Sequence, residues 1–366
     1  MPPLNLTVSQ RLKVEALGGG IRLTPAADAA VRTGGRPISL FEYPTTAGVT
    51  LEIPGAGYVN APFHGAFAAQ AEVQLDCDRA GQFSLSWRGN VLPVQVLPLP
   101  GYIDRRLPGG ALVSDLVMSH ADRMRLSPVY GCAYRCHFCD WPNQSYHVRP
   151  AEILLEAADV AMGDKVLPVR HALISGGTPA ECDRGSTYAA VAELLTRIPL
   201  PTDVMFAPHG EDTTYVDDLV RWGAAGMAIN IELFDEMSAR RLTPQKYAGG
   251  RKAFDLAIRR AVELTGGEGR VRSLLLVGLE DVESTLAGVR WLAERGCDPV
   301  LSPFRPADGT ALATYPPPTP EILLQVLCEA MEIAARYGVK IGPRCVPCQH
   351  NCLVTTETPA RRELLA

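Results

Sequence analysis

From about residue 125 onward, short apolar runs alternate with helical patterns, and this alternation restricts the fold more than any other feature of the chain. Arg125-Leu-Ser-Pro-Val-Tyr, His171-Ala-Leu-Ile-Ser, Asp203-Val-Met-Phe-Ala, Met227-Ala-Ile-Asn-Ile, Arg272-Ser-Leu-Leu-Leu-Val and Pro299-Val-Leu-Ser-Pro read as strands. Between them lie helical stretches over 150–162, 187–197 and 282–295, and a last one that starts at Thr319-Pro320 and stops at Gly338. Strict alternation implies right-handed βαβ units and a parallel sheet. The predicted fold is therefore α/β, and six units suit a partial (β/α)6 TIM-like barrel better than a closed eight-stranded one.

Two flanking regions read differently. Phe83, Leu85 and Trp87 alternate with polar residues, Arg88-Gly89-Asn90 supplies a turn, and Val94 and Val96 resume the alternation, a hairpin signature. With further short strands at Val49-Thr-Leu-Glu-Ile and Ala71-Glu-Val-Gln-Leu, this predicts a small β-rich N-terminal domain that ends near Pro98 to Pro108, within a segment set at 1–115. The barrel is expected over 116–340 and a cysteine-rich tail over 341–366.

Composition narrows the function classes. The formal net charge of −5 gives no broad attraction to nucleic acid or an anionic membrane. No apolar run approaches the ~18 residues of a membrane span, and the first residues lack a signal-peptide pattern, so a cytoplasmic home is expected. Six of the ten cysteines fall in two tight triplets, while Cys77, Cys182, Cys297 and Cys328 are scattered. Such clustering points to metal rather than to disulfides.

The first triplet is Gly131-Cys132-Ala-Tyr-Arg-Cys136-His-Phe138-Cys139. It follows the first predicted barrel strand, where barrel chemistry resides. Three thiolates occupy three irons of a four-iron cube and leave the fourth open to a chelating ligand. A zinc site or a chance cluster of thiols is the bland alternative. C-x3-C-x2-C with an aromatic residue before the last Cys resembles the signature of the radical S-adenosylmethionine superfamily. The resemblance implies a 4Fe–4S cluster on Cys132, Cys136 and Cys139 whose open iron binds S-adenosylmethionine. Reductive cleavage then yields a 5′-deoxyadenosyl radical that abstracts hydrogen from a small organic substrate, with electrons from a reductant such as flavodoxin or ferredoxin.

The same resemblance extends along the barrel. Ser175-Gly176-Gly177-Thr178-Pro179 is similar to the family's glycine pair at the methionine amino group, although a Gly-Gly after a strand is also an ordinary turn. Asn230-Ile-Glu232 is similar to its ribose- and methionine-contacting segment, and Val277-Gly278-Leu279-Glu280 to its adenine-contacting one. Arg240 and Arg241 are candidates for the methionine carboxylate, against the alternative of a solvated helix face. Pro303-Phe-Arg-Pro-Ala-Asp-Gly309-Thr310-Ala-Leu312 resembles the ending of the biotin synthase-like branch, with Ala307-Asp308 and Ala311 departing from it; Arg305 and Asp308 are candidate substrate contacts, against the alternative of a surface loop with an ordinary ion pair.

The second triplet, Cys345-Val-Pro-Cys348-Gln-His350-Asn-Cys352, leaves three readings open. These are an auxiliary 4Fe–4S cluster on Cys345, Cys348 and Cys352, a Cys3His zinc using His350, and a reactive thiol pair. The auxiliary cluster fits with the first triplet, and with the chain's end over the barrel mouth it makes sulfur insertion, as in lipoyl synthase, the leading expectation for the chemistry; the alternative within the family is a dehydrogenase, isomerase or lyase whose auxiliary cluster carries an electron or ligates substrate. The lipoyl synthase spacing itself is not reproduced. His209 is a candidate for orienting substrate or moving a proton, or a structural hydrogen-bonder, and Glu211, Asp212 and Tyr215 share its loop. Other classes are a non-catalytic iron–sulfur electron-transfer protein, which needs no glycine pair, and a zinc hydrolase, for which no H-E-x-x-H pattern is present.

Overall fold

The computed structural model describes residues 6–32 and 48–355. The chain begins with α1 (Val8–Gly19), whose N-cap Thr7 forms a capping box with Gln10. There follow β1 (Arg22–Leu23), α2 (Pro25–Val31), β2 (Val49–Ile53), β3 (Gly57–Ala61), α3 (Gly65–Ala69), β4 (Gln74–Cys77), β5 (Phe83–Trp87) and β6 (Asn90–Val96). These strands make one six-stranded sheet in the order β1-β4-β5-β6-β2-β3. The β5–β6 hairpin pairs Trp87 with Asn90, as the turn residues predicted. Three helices, α1, α2 and α3, sit in this region beside the expected strands.

The second sheet is the larger. After α4 (Val113–Leu116), β7 (Val117–His120) turns back antiparallel onto β8 (Arg123–Leu126). The small pair β9 (Val129–Tyr130) and β10 (His147–Val148) brackets the first cysteine triplet. Then α5 (Ala151–Met162), β11 (His171–Ile174), α6 (Arg184–Arg197), β12 (Thr202–Phe206), α7 (Thr214–Arg221), β13 (Gly226–Ile229), α8 (Glu236–Leu242), α9 (Gly250–Thr265), β14 (Val271–Val277), α10 (Val282–Ala293), β15 (Asp298–Pro303) and α11 (Pro320–Tyr337) complete the alternation. The seven strands run β15-β14-β13-β12-β11-β8-β7, the first six of them parallel. This is the partial (β/α)6 barrel of the expectation, with one antiparallel strand added at its edge.

Local chemistry sets these boundaries. The first barrel strand was expected to run through Tyr130, but Pro128 cannot donate to a ladder, so β8 stops at Leu126 and the chain restarts as β9. Strand β14 alternates buried and half-buried residues along its whole length. Helix α9 buries Ala253, Phe254, Ala257, Ile258 and Ala261, one apolar stripe facing the sheet. Helix α11 starts at the N-cap Thr319 and ends at Gly338 with φ 71°, the left-handed C-cap that glycine tolerates.

The barrel does not close on itself by strand pairing, because β15 and β7 remain its two edges. Residues after α11 bridge them. Gly342 N–H donates to Pro299 and Leu353 N–H to Leu301, both on β15. From there the 3-10 turn Pro347–Asn351 reaches across, and the His350 ring stacks on His120 of β7 at 5.7 Å. Lys13 of α1 is fully buried and donates to Val354 O at 2.6 Å, which fastens the N-terminal region onto the same tail. Residues 356–366 of the expected tail lie outside the described residues. No described helix is long and apolar enough to cross a membrane.

Candidate functional site at the carboxyl ends of the barrel strands

The first cysteine loop is wedged against the loop that follows β11. Thr178 N–H donates to Cys132 Sγ at 3.2 Å, Tyr134 N–H donates to the same sulfur at 3.3 Å, and Ala133 N–H donates to Thr178 O at 3.0 Å. The glycines make this contact possible. A Cβ on Gly177 would lie 1.7 Å from Gly131 O and 2.7 Å from Cys132 Cα, and Gly176 takes φ 144° with a Cβ position 2.8 Å from Val129 O. The pair therefore serves close approach of backbone to the cysteine loop itself. On its other side the loop is tied to the segment after α8, where His137 N–H donates to Leu242 O and Arg135 N–H to the Gln245 side chain.

Cys132, Cys136, Cys139 and Phe138 line one cavity of about 250 Å³ together with Gly176, Gly177, Thr178, His209, Asn230 and Glu232. Burial, reinforced by the Glu232 carboxylate, pushes the Cys136 thiol far up, and burial pushes Cys139 up to about 12. Thiols in such surroundings become thiolates only when a cation compensates the charge. Among the described residues these three sulfurs do not form a set crowded tightly enough for a single ion. A cube that takes one thiolate per iron needs the wider arrangement.

Glu232 is the unusual residue of the far wall. It has φ 64°, a left-handed backbone rare for a side chain of this size, and its backbone bridges to β14 through Leu274 and Leu276. One carboxylate oxygen accepts from Lys246 Nζ at 2.6 Å, while Oε2 is buried with no hydrogen-bond partner among the described residues. Ser175 Oγ is in the same condition. Burial works against the Lys246 charge, but Glu232 and Cys136 outweigh it and hold the ammonium above its ordinary range.

Several sequence candidates are placed elsewhere. Arg240 is exposed and bound to Glu236 one turn back, and Arg241 is exposed too, so both lie on the solvated helix face. The cationic side chain on the cavity wall is Lys246, which the sequence reading passed over; its only signal was a Pro-Gln-Lys turn directly after a helix. Asn230 lines the cavity but spends its Oδ1 on Leu274 N–H. Gly278 packs against Pro318 and Leu279 is buried, and neither lines the cavity. His209 does line it, half-buried, with Nδ1 3.0 Å from Arg184. Burial and Arg184 both lower its pKa, which keeps the ring neutral near pH 7. Glu211 pairs with Lys252 and Asp212 caps Thr214, so both act locally. Tyr215 stacks on Tyr188 at 3.7 Å and lines the wall. Arg305 donates to Asn351, and Asp308 is exposed.

The second triplet is not over the barrel mouth. Cys345 and Cys348 lie at the opposite, amino end of the sheet, beside Arg123 and His171 where β8 and β11 begin. Cys352 is turned away, buried, with its thiol donating to Gln349 O at 3.4 Å. His350 is also buried and directs Nδ1 to Pro347 O. The set Cys345, Cys348, Cys352 and His350 is thus not assembled as one centre, because the 3-10 turn fans its side chains in different directions.

No family profile matches the sequence, and no characterised protein matches it at the sequence level. Comparison of folds does find similar structures. The chain is similar in fold to radical S-adenosylmethionine enzymes. One is a radical SAM methyltransferase from Sphaerobacter thermophilus, 16% identical, covering 78% of this chain and 81% of that one with a TM-score of 0.48. Another is SuiB of Streptococcus suis bound to S-adenosylmethionine, 14% identical, covering 62% of this chain, also at 0.48. A third is coproporphyrinogen III oxidase of Escherichia coli, a radical SAM enzyme, 16% identical over 60% of this chain and 54% of that one at 0.43. The chain spans about half the length of SuiB. At these identities the likeness is one of fold, and the chemistry is argued from the residues of the site.

Proposed function

We propose that this protein is a radical S-adenosylmethionine enzyme that cleaves S-adenosylmethionine reductively to begin hydrogen abstraction from a small organic substrate. The observation that carries the reading is the junction of the two loops. Cys132 Sγ accepts from Thr178 N–H, and Gly177 admits the cysteine loop against the Gly-Gly-Thr segment, at the carboxyl ends of six parallel strands.

Cys132, Cys136 and Cys139 would hold a 4Fe–4S cluster, and the buried thiols of Cys136 and Cys139 fit a role that requires a strong compensating cation. When bound, the cluster and S-adenosylmethionine supply the one-electron cleavage. The chain supplies position. The unpartnered Glu232 Oε2 and Ser175 Oγ are acceptors suited to an ammonium or ribose hydroxyl of the cofactor, and Lys246 is the cation on the same wall suited to its carboxylate. Phe138, Tyr134, Phe206 and Tyr215 surround the cavity with carbon, which excludes water from a reactive radical. A flavodoxin- or ferredoxin-type protein would deliver the electron. Sulfur insertion from a cluster on the second triplet loses its support, because Cys345 and Cys348 sit at the other end of the barrel.

The test is anaerobic reconstitution followed by assay of 5′-deoxyadenosine with dithionite. The wild type is expected to hold about four irons at this site and to release deoxyadenosine, and Cys136→Ala to do neither. A fully iron-loaded protein that releases no deoxyadenosine would refute the reading.

A further inference from the structure

Among the described residues, one group of side chains brings four potential metal ligands within 4.8 Å of one another, and it lies outside the site just described. It consists of Asp122, His171, Cys345 and Cys348. Asp122 precedes β8, His171 opens β11, and the two cysteines enter from the tail. Three separate stretches of chain therefore meet at the amino end of the barrel. His171 Nε2 lies 3.0 Å from Cys348 Sγ, 4.0 Å from Cys345 Sγ and 3.9 Å from Asp122 Oδ1. Cys345 Sγ is 3.9 Å from the same Asp122 oxygen.

We propose that Asp122, His171, Cys345 and Cys348 form a four-coordinate structural zinc site that staples the tail to the amino ends of β8 and β11. Zinc lies about 2.3 Å from thiolate sulfur and about 2.0–2.2 Å from imidazole nitrogen or carboxylate oxygen. A tetrahedron of those radii has edges of roughly 3.3–3.8 Å. Four of the six distances between the ligand atoms, 3.0–4.0 Å, straddle that range, and all six lie within 4.8 Å, so closing by an ångström or less completes the polyhedron. Two soft thiolates, one imidazole and one carboxylate suit zinc, and four protein ligands leave no open position, the mark of a structural site.

The surroundings are built for this use. Asp122 Oδ2 is held by Arg170 through Nε at 2.9 Å and Nη2 at 2.5 Å, which leaves Oδ1 directed at the cysteines. Cys345 and Cys348 face the same point because Cys348 N–H donates to Cys345 O at 3.1 Å, closing a tight turn. Two thiolates and a carboxylate around a divalent ion carry one net negative charge, which Arg170 and Arg123 answer. An iron–sulfur cube would call on Cys352 for a third thiolate, yet that sulfur is buried elsewhere. The inference stands independently of the reaction at the carboxyl end.

The test is metal analysis of the anaerobically purified full chain, with cobalt as a spectroscopic stand-in. About one zinc per chain is expected in the wild type and in Cys352→Ser, and at least tenfold less in the Cys345→Ser/Cys348→Ser double variant. Should that variant fold poorly, Cys136→Ser, expected to keep its zinc, and His171→Ala, expected to lose it, decide. Exchange with Co²⁺ is expected to give the intense visible bands of four-coordinate cobalt with sulfur-to-metal charge transfer, and Asp122→Asn is expected to shift them. Any of three results overturns the proposal. These are neither zinc nor cobalt bands in the wild type, a Cys345–Cys348 disulfide in peptide mapping, or zinc-free protein whose iron falls by about four in Cys352→Ser.

Discussion

Gly177→Ala tests whether the glycine pair exists for the cysteine loop. The added methyl would sit 1.7 Å from Gly131 O, where a carbon–oxygen contact needs upward of ~3.2 Å, so the two loops must part by about 1.5 Å. That displacement stretches both the Thr178–Cys132 and the Ala133–Thr178 hydrogen bonds, now 3.2 and 3.0 Å, past useful length. Overpacking costs about 1–3 kcal/mol, and two lost hydrogen bonds add about 1 kcal/mol each, for a total near 3–5 kcal/mol. In a chain of this size the melting temperature should fall by about 4–7 °C. Iron at the first triplet should fall with it, because Cys132 moves relative to Cys136 and Cys139. The companion variant is Gly185→Ala in α6, where a Cβ meets nothing within 4 Å; it should be neutral or stabilising by up to about 1 kcal/mol. Calorimetry and iron analysis of both read the result. A Gly177→Ala protein that melts within a degree of wild type and holds the same iron would show that the approach of the loops is not what the glycine provides.

Two further outcomes follow from buried charges. Lys246→Met leaves Glu232 buried and uncompensated and should cost about 3–5 kcal/mol in chemical denaturation, whereas Glu232→Gln/Lys246→Met should cost far less; additive losses would refute the coupling. Lys13 has its pKa lowered by burial from 10.5 to about 8, so between those values the unfolded chain holds the proton more firmly. The burial cost is fully present below pH 8 and is relieved as pH rises through the window. Relative to Lys13→Met, the wild type should therefore gain about 3 kcal/mol between pH 8 and 10.5, and denaturation curves that stay parallel would refute the assignment.

The barrel was legible because its strands appear as short apolar runs, and their spacing by helical segments forces parallel pairing. The four-residue β7, Val117–His120, gave too short a signal, and α1 mixes apolar and polar positions without a clear stripe. At the site, the first triplet and the Gly-Gly-Thr segment were visible as types and spacings, since both are local. Lys246 was not, because nothing in the order of residues shows that the turn after α8 brings position 246 inward while Arg240 points outward. The second triplet misled for the same reason. Three cysteines within eight residues suggest one centre, but a 3-10 turn separates Cys352 from Cys345 and Cys348, and the fold replaces it with His171 and Asp122 from far upstream.

The bridging of the barrel's two edges by residues 342–353 has a consequence for biosynthesis. When the ribosome has finished β15, the sheet still has an open flank, and about fifty residues must be added before Leu353 can dock on Leu301 and Val354 can accept from Lys13, 341 positions earlier. At about 5–20 residues per second that is an interval of roughly 3–10 s. Throughout it the nascent chain presents the unsatisfied edge of β15, a template for pairing with a neighbouring polypeptide. Rapid translation and abundant chaperone shorten or shield that exposure. A chain truncated before Gly342 never leaves it, and belongs in the insoluble fraction.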